Sequence, residues 1–551
     1  MPTVTAGLST LFTIPAGQTA MFTADGDGSA VLSGGQMDGT PYAIGETVVT
    51  IGPFANAQNV SVSCTRGVTY TLIPGGMRAP RLDASTSTLY DTNGNAVALG
   101  GSSVTGLQAR RAVLMGDSLK ALECCLPTAD TPIYGSPFSV PQSQFNPRGV
   151  FNWLNAFCGQ PWTLVGARGV SGENSIQILA RWPDVIADNP DDVFMDTGRN
   201  DVTQLSTTYG GDITLCFNTT VANVTSMWDQ AAKKGTRVFY ESISPKQVSS
   251  GEGTPENTLV VRINTELKRQ AALRKNVVFI DTFSALINPA IVQGYAIATL
   301  YVDTTHWATN GAVRQALLFA AMVSKYVTPN PTLVSSQNDC FQKNTLSTNV
   351  LAGIEGLIQG AQDSAVGTGT AGTKQASMAV SRVAGSGTAT YSINAAPIVP
   401  APIGDGITSI GNSLRQVVAS AVAGEIHQVS LPVTSGPSFA QLGAGSFLQG
   451  ECLVQVSSAS GLISVACEVV IAYIGGSPAG PTRSRTLYPV SLAFDGTDTL
   501  NYTAQLKTPP VQIPANATGL TSITINWYTL FSKAGGATVD ISRASIRKVT
   551  A

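Results

Sequence analysis

Charge is what this chain has least of. Only 12% of its 551 residues are Asp, Glu, Lys or Arg, about half the ~25% usual in globular proteins. The 32 basic and 34 acidic side chains leave a net charge of −2. No Lys/Arg run occurs, so neither nucleic acid nor an anionic lipid surface is an expected partner. Nor is there an uncharged apolar run of about 18 residues, the length of a membrane-spanning helix. The opening Met1-Pro2-Thr3-Val4-Thr5 has no basic stretch ahead of an apolar one, so no secretory leader is expected. Histidine occurs only twice, as His306 and His427. The eight cysteines, at 64, 124, 125, 158, 216, 340, 452 and 467, are scattered and form no CxxC pair. That argues against a zinc site and gives no disulfide framework. They read as packed thiols, including the adjacent Cys124 and Cys125, in a chain that folds under reducing conditions.

What is present is apolar material for full cores. The 43% hydrophobic content excludes a largely disordered chain. Length suggests roughly three domains of about 150–200 residues, and charge density marks their limits. Residues 1–107 carry 9 charged side chains, 108–335 carry 36, and 336–551 carry 21. Boundaries are therefore expected near 107 and 335.

The first segment, 1–107, reads as an N-terminal β domain with an attachment or structural role. Strands are expected at Ser9–Ile14, Gln18–Thr23, Ala30–Leu32, Thr47–Ile51, Asn59–Cys64 and Thr69–Ile73, separated by Gly, Asp and Pro turns, with an exposed connector over 82–107. The middle segment, 108–335, alternates. Strands at Arg111–Met115, Trp162–Val165, Asp192–Met195, Arg237–Ser242 and Asn276–Ile280 are interleaved with helices at Val150–Phe157, Asn174–Ile186, Ile213–Lys233, Pro255–Arg274 and Ala308–Tyr326. That rhythm predicts a parallel α/β sheet covered on both faces. The last segment, 336–551, opens with the helical spacing Leu346, Val350, Ile354, Leu357, Ile358. A Gly/Thr/Ala-rich run over 366–390 follows. Strands are then expected at Gln428–Val433, Gly450–Val456, Leu462–Ile474, Thr486–Ala493, Leu500–Lys507, Ser522–Leu530 and Thr538–Lys548, as a β-sandwich. No repeat of fixed period is found.

Four short blocks in the middle segment carry chemistry. In Val113-Leu114-Met115-Gly116-Asp117-Ser118-Leu119 an apolar strand runs into Gly-Asp-Ser, placing a serine at the carboxyl end of a strand, where parallel sheets bind ligands. Such a hydroxyl is a nucleophile once a base reaches it. In Val170-Ser171-Gly172-Glu173-Asn174 a glycine lets a backbone N–H approach an anionic oxygen. In Asp196-Thr197-Gly198-Arg199-Asn200-Asp201 a carboxamide follows a strand and has hydrogens to donate. In Val302-Asp303-Thr304-Thr305-His306-Trp307 an Asp three residues before a His can hold the imidazole in one tautomer while its other nitrogen faces the serine. Each block also has a bland reading, a common turn or a structural histidine. Together, in one predicted sheet, they favour nucleophilic catalysis.

The order and spacing of Gly116-Asp117-Ser118-Leu119, Ser171-Gly172, Gly198-Arg199-Asn200-Asp201 and Asp303-Thr304-Thr305-His306 resemble those of the SGNH (GDSL) hydrolases. The likeness covers 108–330, about 40% of the chain. It implies a flavodoxin-like α/β domain and an esterase acting through an acyl-enzyme, with no cofactor and no metal. Carried over residue by residue, Ser118 is the nucleophile, His306 the general base, and Asp303 its orienter. The oxyanion hole is the Ser118 and Gly172 N–H groups with the Asn200 side chain. One departure stands out: members often have Asn shortly before the glycine of the second block, where this chain has Gly166-Ala167-Arg168.

The whole arrangement is similar to bacteriophage tail fibres and tailspikes, in which an esterase between β domains deacetylates host surface polysaccharide. That likeness implies a virion protein assembled in the host cytoplasm and acting outside the host cell. Its expected partners are acetylated polysaccharide, other tail proteins and two further copies of itself as a homotrimer. The C-terminal sandwich is expected to be jelly-roll-like, and Trp527 and Tyr528 offer two readings: a sugar-stacking face, which would make it carbohydrate-binding, or a ring that alternates with its neighbours and points into the sandwich core. The 346–358 pattern would suit a short trimer seam or, equally, a lone amphipathic helix on a domain surface. Two other readings stay open: a receptor-binding tail protein with a relic hydrolase domain, and a bacterial polysaccharide or lipid esterase.

Overall fold

The computed structural model describes residues 109–125, 142–246, 255–288, 295–395, 398, 411–433, 439–489 and 501–549, apart from 331, 335, 345, 346, 478 and 479, and the backbone of ten strands between residues 3 and 90. The chain divides into two compact units, Met1–Thr105 and Gly106–Ala551.

The first unit holds two four-stranded antiparallel sheets. One orders Thr3–Val4, Val68–Ile73, Thr19–Ala24 and Val49–Ile51; the other orders Ser9–Ile14, Gln58–Cys64, Gly28–Gly34 and Met37–Ile44. A small pair, Arg81–Asp83 with Thr88–Tyr90, lies in the expected connector, whose remaining residues fall outside the described ones.

The second unit is built on five parallel strands: β1 (Arg110–Gly116), β2 (Trp162–Gly169), β3 (Asp192–Asp196), β4 (Arg237–Glu241) and β5 (Val277–Ile280). Their order is β2-β1-β3-β4-β5. The strand order reverses beside β1, which puts a crevice at its carboxyl end. Strands buried on both faces need continuous apolar runs, and Ala112 to Met115 are fully buried. One face packs on α2 (Val150–Phe157) and α9 (Thr309–Val323); the other packs on α7 (Ile213–Lys233) and α8 (Pro255–Ala272). Asp212 caps α7 by accepting from the N–H groups of Thr214 and Leu215, at 2.8 and 2.9 Å. The helix expected over 174–186 is instead two, α3 (Ser175–Ala180) and α4 (Trp182–Ala187). Pro183 lacks the N–H that a continuous helix would need, and stands in the first turn of α4.

The C-terminal region is β-rich. Two long strands, β6 (Phe447–Ile474) and β7 (Gly519–Val549), pair antiparallel along their length with several register shifts. Each joins what periodicity divides in two, because the register shifts absorb the break in alternation at Ser457–Leu462. The Gly/Thr/Ala-rich run also forms strands, Thr370–Gln375, Ala379–Ala384 and Ala389–Asn394, followed by Ser413–Ala421. Their small residues carry little propensity, so pairing with neighbours decides them. The expected helix over 346–358 reduces to Gly353–Gly356. Val350, Leu357 and Ile358 are buried in non-helical chain instead, whereas Ile354 is exposed and Leu346 lies outside the described residues; the Val350 N–H donates to the Ile546 carbonyl at 2.7 Å, beside the last strand. The far end of the strand expected at 486–493 lies outside the described residues.

The middle and last segments share a core. Trp153 and Phe157 on α2 meet Tyr502 edge-on, with centroids 5.0 and 6.4 Å apart. Strand Gln142–Phe145 pairs in parallel with Thr482–Thr486 in the C-terminal sheet. Gln160 Nε2 donates to the Gln505 carbonyl at 2.6 Å.

Candidate active site

Ser118 begins α1 (Ser118–Ala121) directly after β1. The turn between them is tight: a Cβ on Gly116 would lie 1.9 Å from Asp196 Oδ1 at the end of β3, so only glycine fits. Asp117 accepts from the Leu119 N–H at 3.0 Å and caps the turn, while its own N–H donates to Asp196 Oδ1 at 3.2 Å.

His306 reaches this serine from 188 positions away. Its loop is closed by a β-bridge between the buried Tyr301 and Trp307 and by the Val302 N–H on the His306 carbonyl, 2.9 Å. His306 Nε2 lies 2.8 Å from Ser118 Oγ, and Nδ1 lies 2.8 Å from Asp303 Oδ2. Asp303 Oδ1 accepts from the N–H groups of Thr305 and His306, each at 2.7 Å. Burial alone would raise the Asp303 carboxyl, but these N–H bonds and the imidazole hold it below the usual range. An ionised Asp303 favours the tautomer with hydrogen on Nδ1, leaving Nε2 to accept from the serine.

The other two blocks converge on the same spot. Gly172 stands in the turn Val170–Glu173 with φ +83°. Among the described residues, neither the Ser118 N–H nor the Gly172 N–H donates to a protein group. Asn200, in α5 (Arg199–Thr203), donates from Nδ2 to the Glu173 carbonyl at 2.9 Å and to Asp117 Oδ2 at 3.2 Å. Asp201 anchors the second block from below, accepting from the Ser175 N–H at 2.8 Å, Ser175 Oγ at 2.6 Å and Tyr209 OH at 2.5 Å. The five predicted site residues, Ser118, Gly172, Asn200, Asp303 and His306, thus meet, with Asn200 already engaged. The departure Gly166-Ala167-Arg168 lies at the end of β2, where Arg168 pairs with Asp188 at 2.7 Å.

A buried ionic cluster under the serine was not legible beforehand. Lys120 Nζ donates to Glu123 at 2.8 Å and to Glu241, and Glu123 also accepts from the Phe151 N–H at 2.9 Å. Asp117 and Asp196 are buried beside them, while Asp196 Oδ2 and Glu241 Oε2 have no partner among the described residues. Burial pushes Asp117 up to about 6, against the pull of the Leu119 N–H and of His306 and Arg199. Burial likewise pushes Glu123 up to about 7, opposed by Lys120. Asp196 is raised well above its ordinary value by burial and by Asp117. Only the sheet brings Glu241 to Lys120, 121 positions apart, so no spacing signals it. A small cavity, about 10 Å³, lies against Asp117, Asp196, Arg199, Glu241 and Trp307. Among the described residues, no group of three or more His, Cys, Asp or Glu side chains is arranged to hold a metal ion.

Of the two readings of Trp527 and Tyr528, the structure takes the core one and excludes the sugar-stacking face. Trp527 is 1% exposed, with its indole N–H on Cys452 Sγ at 3.0 Å. Tyr528, on the opposite face of the strand, is 9% exposed, with its OH on Glu468 at 2.7 Å and its ring edge-on to Tyr488 at 5.4 Å. Neither ring offers a face to solvent.

A parallel α/β sheet with a serine, imidazole and carboxylate in line at a strand end defines a class of protein, one equipped for nucleophilic acyl transfer. Residues 133–306 match the model of the GDSL-like lipase/acylhydrolase family. The matched segment includes Gly172, Asn200, Asp303 and His306; Ser118 lies just ahead of it. Among solved structures, a GDSL-like lipase from Bacteroides thetaiotaomicron VPI-5482 is 18% identical, with 40% of this chain and 89% of that chain covered and a TM-score of 0.28. The acetylxylan esterase Axe2 from Geobacillus stearothermophilus is 19% identical, with 40% and 95% covered and a TM-score of 0.30. No curated protein matches.

Proposed function

We propose that the chain is a serine esterase that removes O-acetyl groups from host cell-surface polysaccharide, as part of a phage tail fibre or tailspike. The observation that carries the catalytic reading is the line from Ser118 Oγ through His306 to Asp303, two contacts of 2.8 Å each, beside two backbone N–H groups without protein partners. In this mechanism His306 Nε2 takes the Ser118 proton as Oγ attacks the ester carbonyl. The Ser118 and Gly172 N–H groups receive the oxyanion. Asn200 adds a third donor by exchanging its longer bond, 3.2 Å to Asp117, for that oxygen. Collapse returns the proton from His306 to the departing sugar oxygen, and water then hydrolyses the acetyl-serine by the same route.

Exposure of the site supports a short acyl group on a bulky carrier. The Asp303 side chain is half exposed, and the cavity beside Asp117, about 10 Å³, has no room for a long acyl chain. The β-rich flanks support the tail setting, and in this reading the C-terminal sheets carry glycan contacts by means other than Trp527 and Tyr528.

The test is turnover of nitrophenyl acetate by wild type and Ser118→Ala, followed by acetate release from acetylated bacterial polysaccharide. Turnover abolished in Ser118→Ala, with its thermal midpoint retained, is expected. Equal background rates in both proteins would leave a glycan-binding protein on a silent hydrolase fold. A trimeric mass by light scattering is expected for the tail setting, and a monomer would overturn it.

A further inference from the structure

The turn that presents the Gly172 N–H has no side-chain packing over it. A Cβ built on Gly172 meets nothing within 4 Å, so its position rests on polar tethers. Four are present. The Val170 N–H donates to the Gly116 carbonyl at 3.0 Å, tying the turn to the strand that carries Ser118. Asn200 Nδ2 holds the Glu173 carbonyl at 2.9 Å, and Arg181, between α3 and α4, holds the Glu173 carboxylate through Nε and Nη2, at 2.9 and 2.5 Å. The fourth reaches Gly172 itself: Gln204 Nε2 donates to its carbonyl at 2.8 Å.

We infer that Gln204 is a positioning residue for the oxyanion hole, fixing the Gly172 peptide from the far side of the turn so that its N–H stays aimed at the oxygen developing on the Ser118-bound carbonyl. This rests on the esterase reading above. Gln204 is placed for the task by its own second end. It lies between α5 and α6 (Leu205–Thr208), and its Oε1 accepts from Asn174 Nδ2 at 2.9 Å and from Thr208 Oγ1 at 3.1 Å. Asn174 in turn caps α3 through bonds to the Ile176 and Gln177 N–H groups, at 3.1 and 3.3 Å. One carboxamide therefore braces the second block against the third. Consecutive carbonyls, Gly172 and Glu173, are gripped by two amides from one five-residue stretch, Gln204 and Asn200. A glycine peptide without such a grip samples other orientations, and small misplacements at a reacting centre cost large factors in rate.

The two ends of Gln204 make the inference separable from a merely structural role. Gln204→Glu keeps an acceptor for Asn174 and Thr208 but loses the donor to Gly172. Gln204→Ala loses both. If the Gly172 bond matters, both variants lose kcat on nitrophenyl acetate by about two- to ten-fold, the worth of one hydrogen bond. KM should stay within about two-fold, since the bond acts on the oxyanion donor and not on substrate binding. Affinity for a boronic acid, which forms a tetrahedral adduct on serine, should fall by a like factor. Titration with a fluorophosphonate keeps the comparison to competent serines. Wild-type kcat and boronate affinity in Gln204→Glu, with losses only in Gln204→Ala, would assign Gln204 to capping alone and overturn the inference. A wild type without Ser118-dependent turnover would overturn the esterase reading and this inference with it. A Ser118-dependent wild type with an unaffected Gln204→Glu overturns this inference only.

Discussion

Single side chains at the site carry unequal tasks. Gly172 has space for a methyl group but a backbone that disfavours one, since φ is +83°. Gly172→Ala keeps the N–H yet favours negative φ, at a cost of roughly 1 kcal/mol for an L-residue held in that region. A fall in kcat without loss of the folded protein is expected, read by ester turnover beside circular dichroism. Asn200→Ala removes a donor of the proposed hole and also frees the Glu173 carbonyl and Asp117. A loss on the order of 10²–10³ in kcat is expected, the usual effect of deleting an oxyanion donor. A loss below ten-fold would make Asn200 a brace of the turn like Gln204.

Among elements, α1 is the most exposed to failure, because its short helix sits on buried charge. Lys120 is the cation of a cluster holding Glu123 and Glu241, with Asp196 close by. Lys120→Met leaves these carboxyls without their partner, and breaking a buried pair in this way costs about 3–5 kcal/mol. Urea denaturation would measure it, with a retained midpoint speaking against the cluster. By contrast, Asp212→Ala removes only the cap of α7, worth about 1 kcal/mol. The four catalytic blocks were legible because each is local: a strand, then a few residues of turn chemistry. The brace at Gln204 and the ion cluster were not, because their partners come from different elements.

For the whole molecule, the buried acids set an unusual pH response. The folded carboxyls of Asp117 and Glu123 are raised, to about 6 and about 7, so the folded state binds more protons than the unfolded state between ordinary carboxyl values and these. Their contribution is complete at low pH and is lost as pH rises through 6 and 7. The thermal midpoint is therefore expected to be higher near pH 5 than near pH 8, by scanning calorimetry; the reverse order would show these groups ionised without penalty. The division of cores makes a second prediction. The fragment 106–551 keeps ester turnover, since every site residue lies in that compact unit. The fragment 106–335 loses it, because Trp153 and Phe157 lose Tyr502, and Gln142–Phe145 loses its strand partner.

Local pattern was enough for the alternating strands and helices of the middle segment, for the helices Val150–Phe157 and Ile213–Lys233 to the residue, and for five positions that converge in space. Periodicity and turn chemistry act over a few residues, and these features need no more. Only the tertiary structure decided that Trp527 and Tyr528 are covered, since one alternation pattern serves a solvent face and a core alike. It also decided that the apolar residues around 350 run beside a strand instead of forming a helix, and that small residues over 370–394 pair into a sheet. Burial depends on which surfaces meet, and that is settled by contacts between residues hundreds of positions apart.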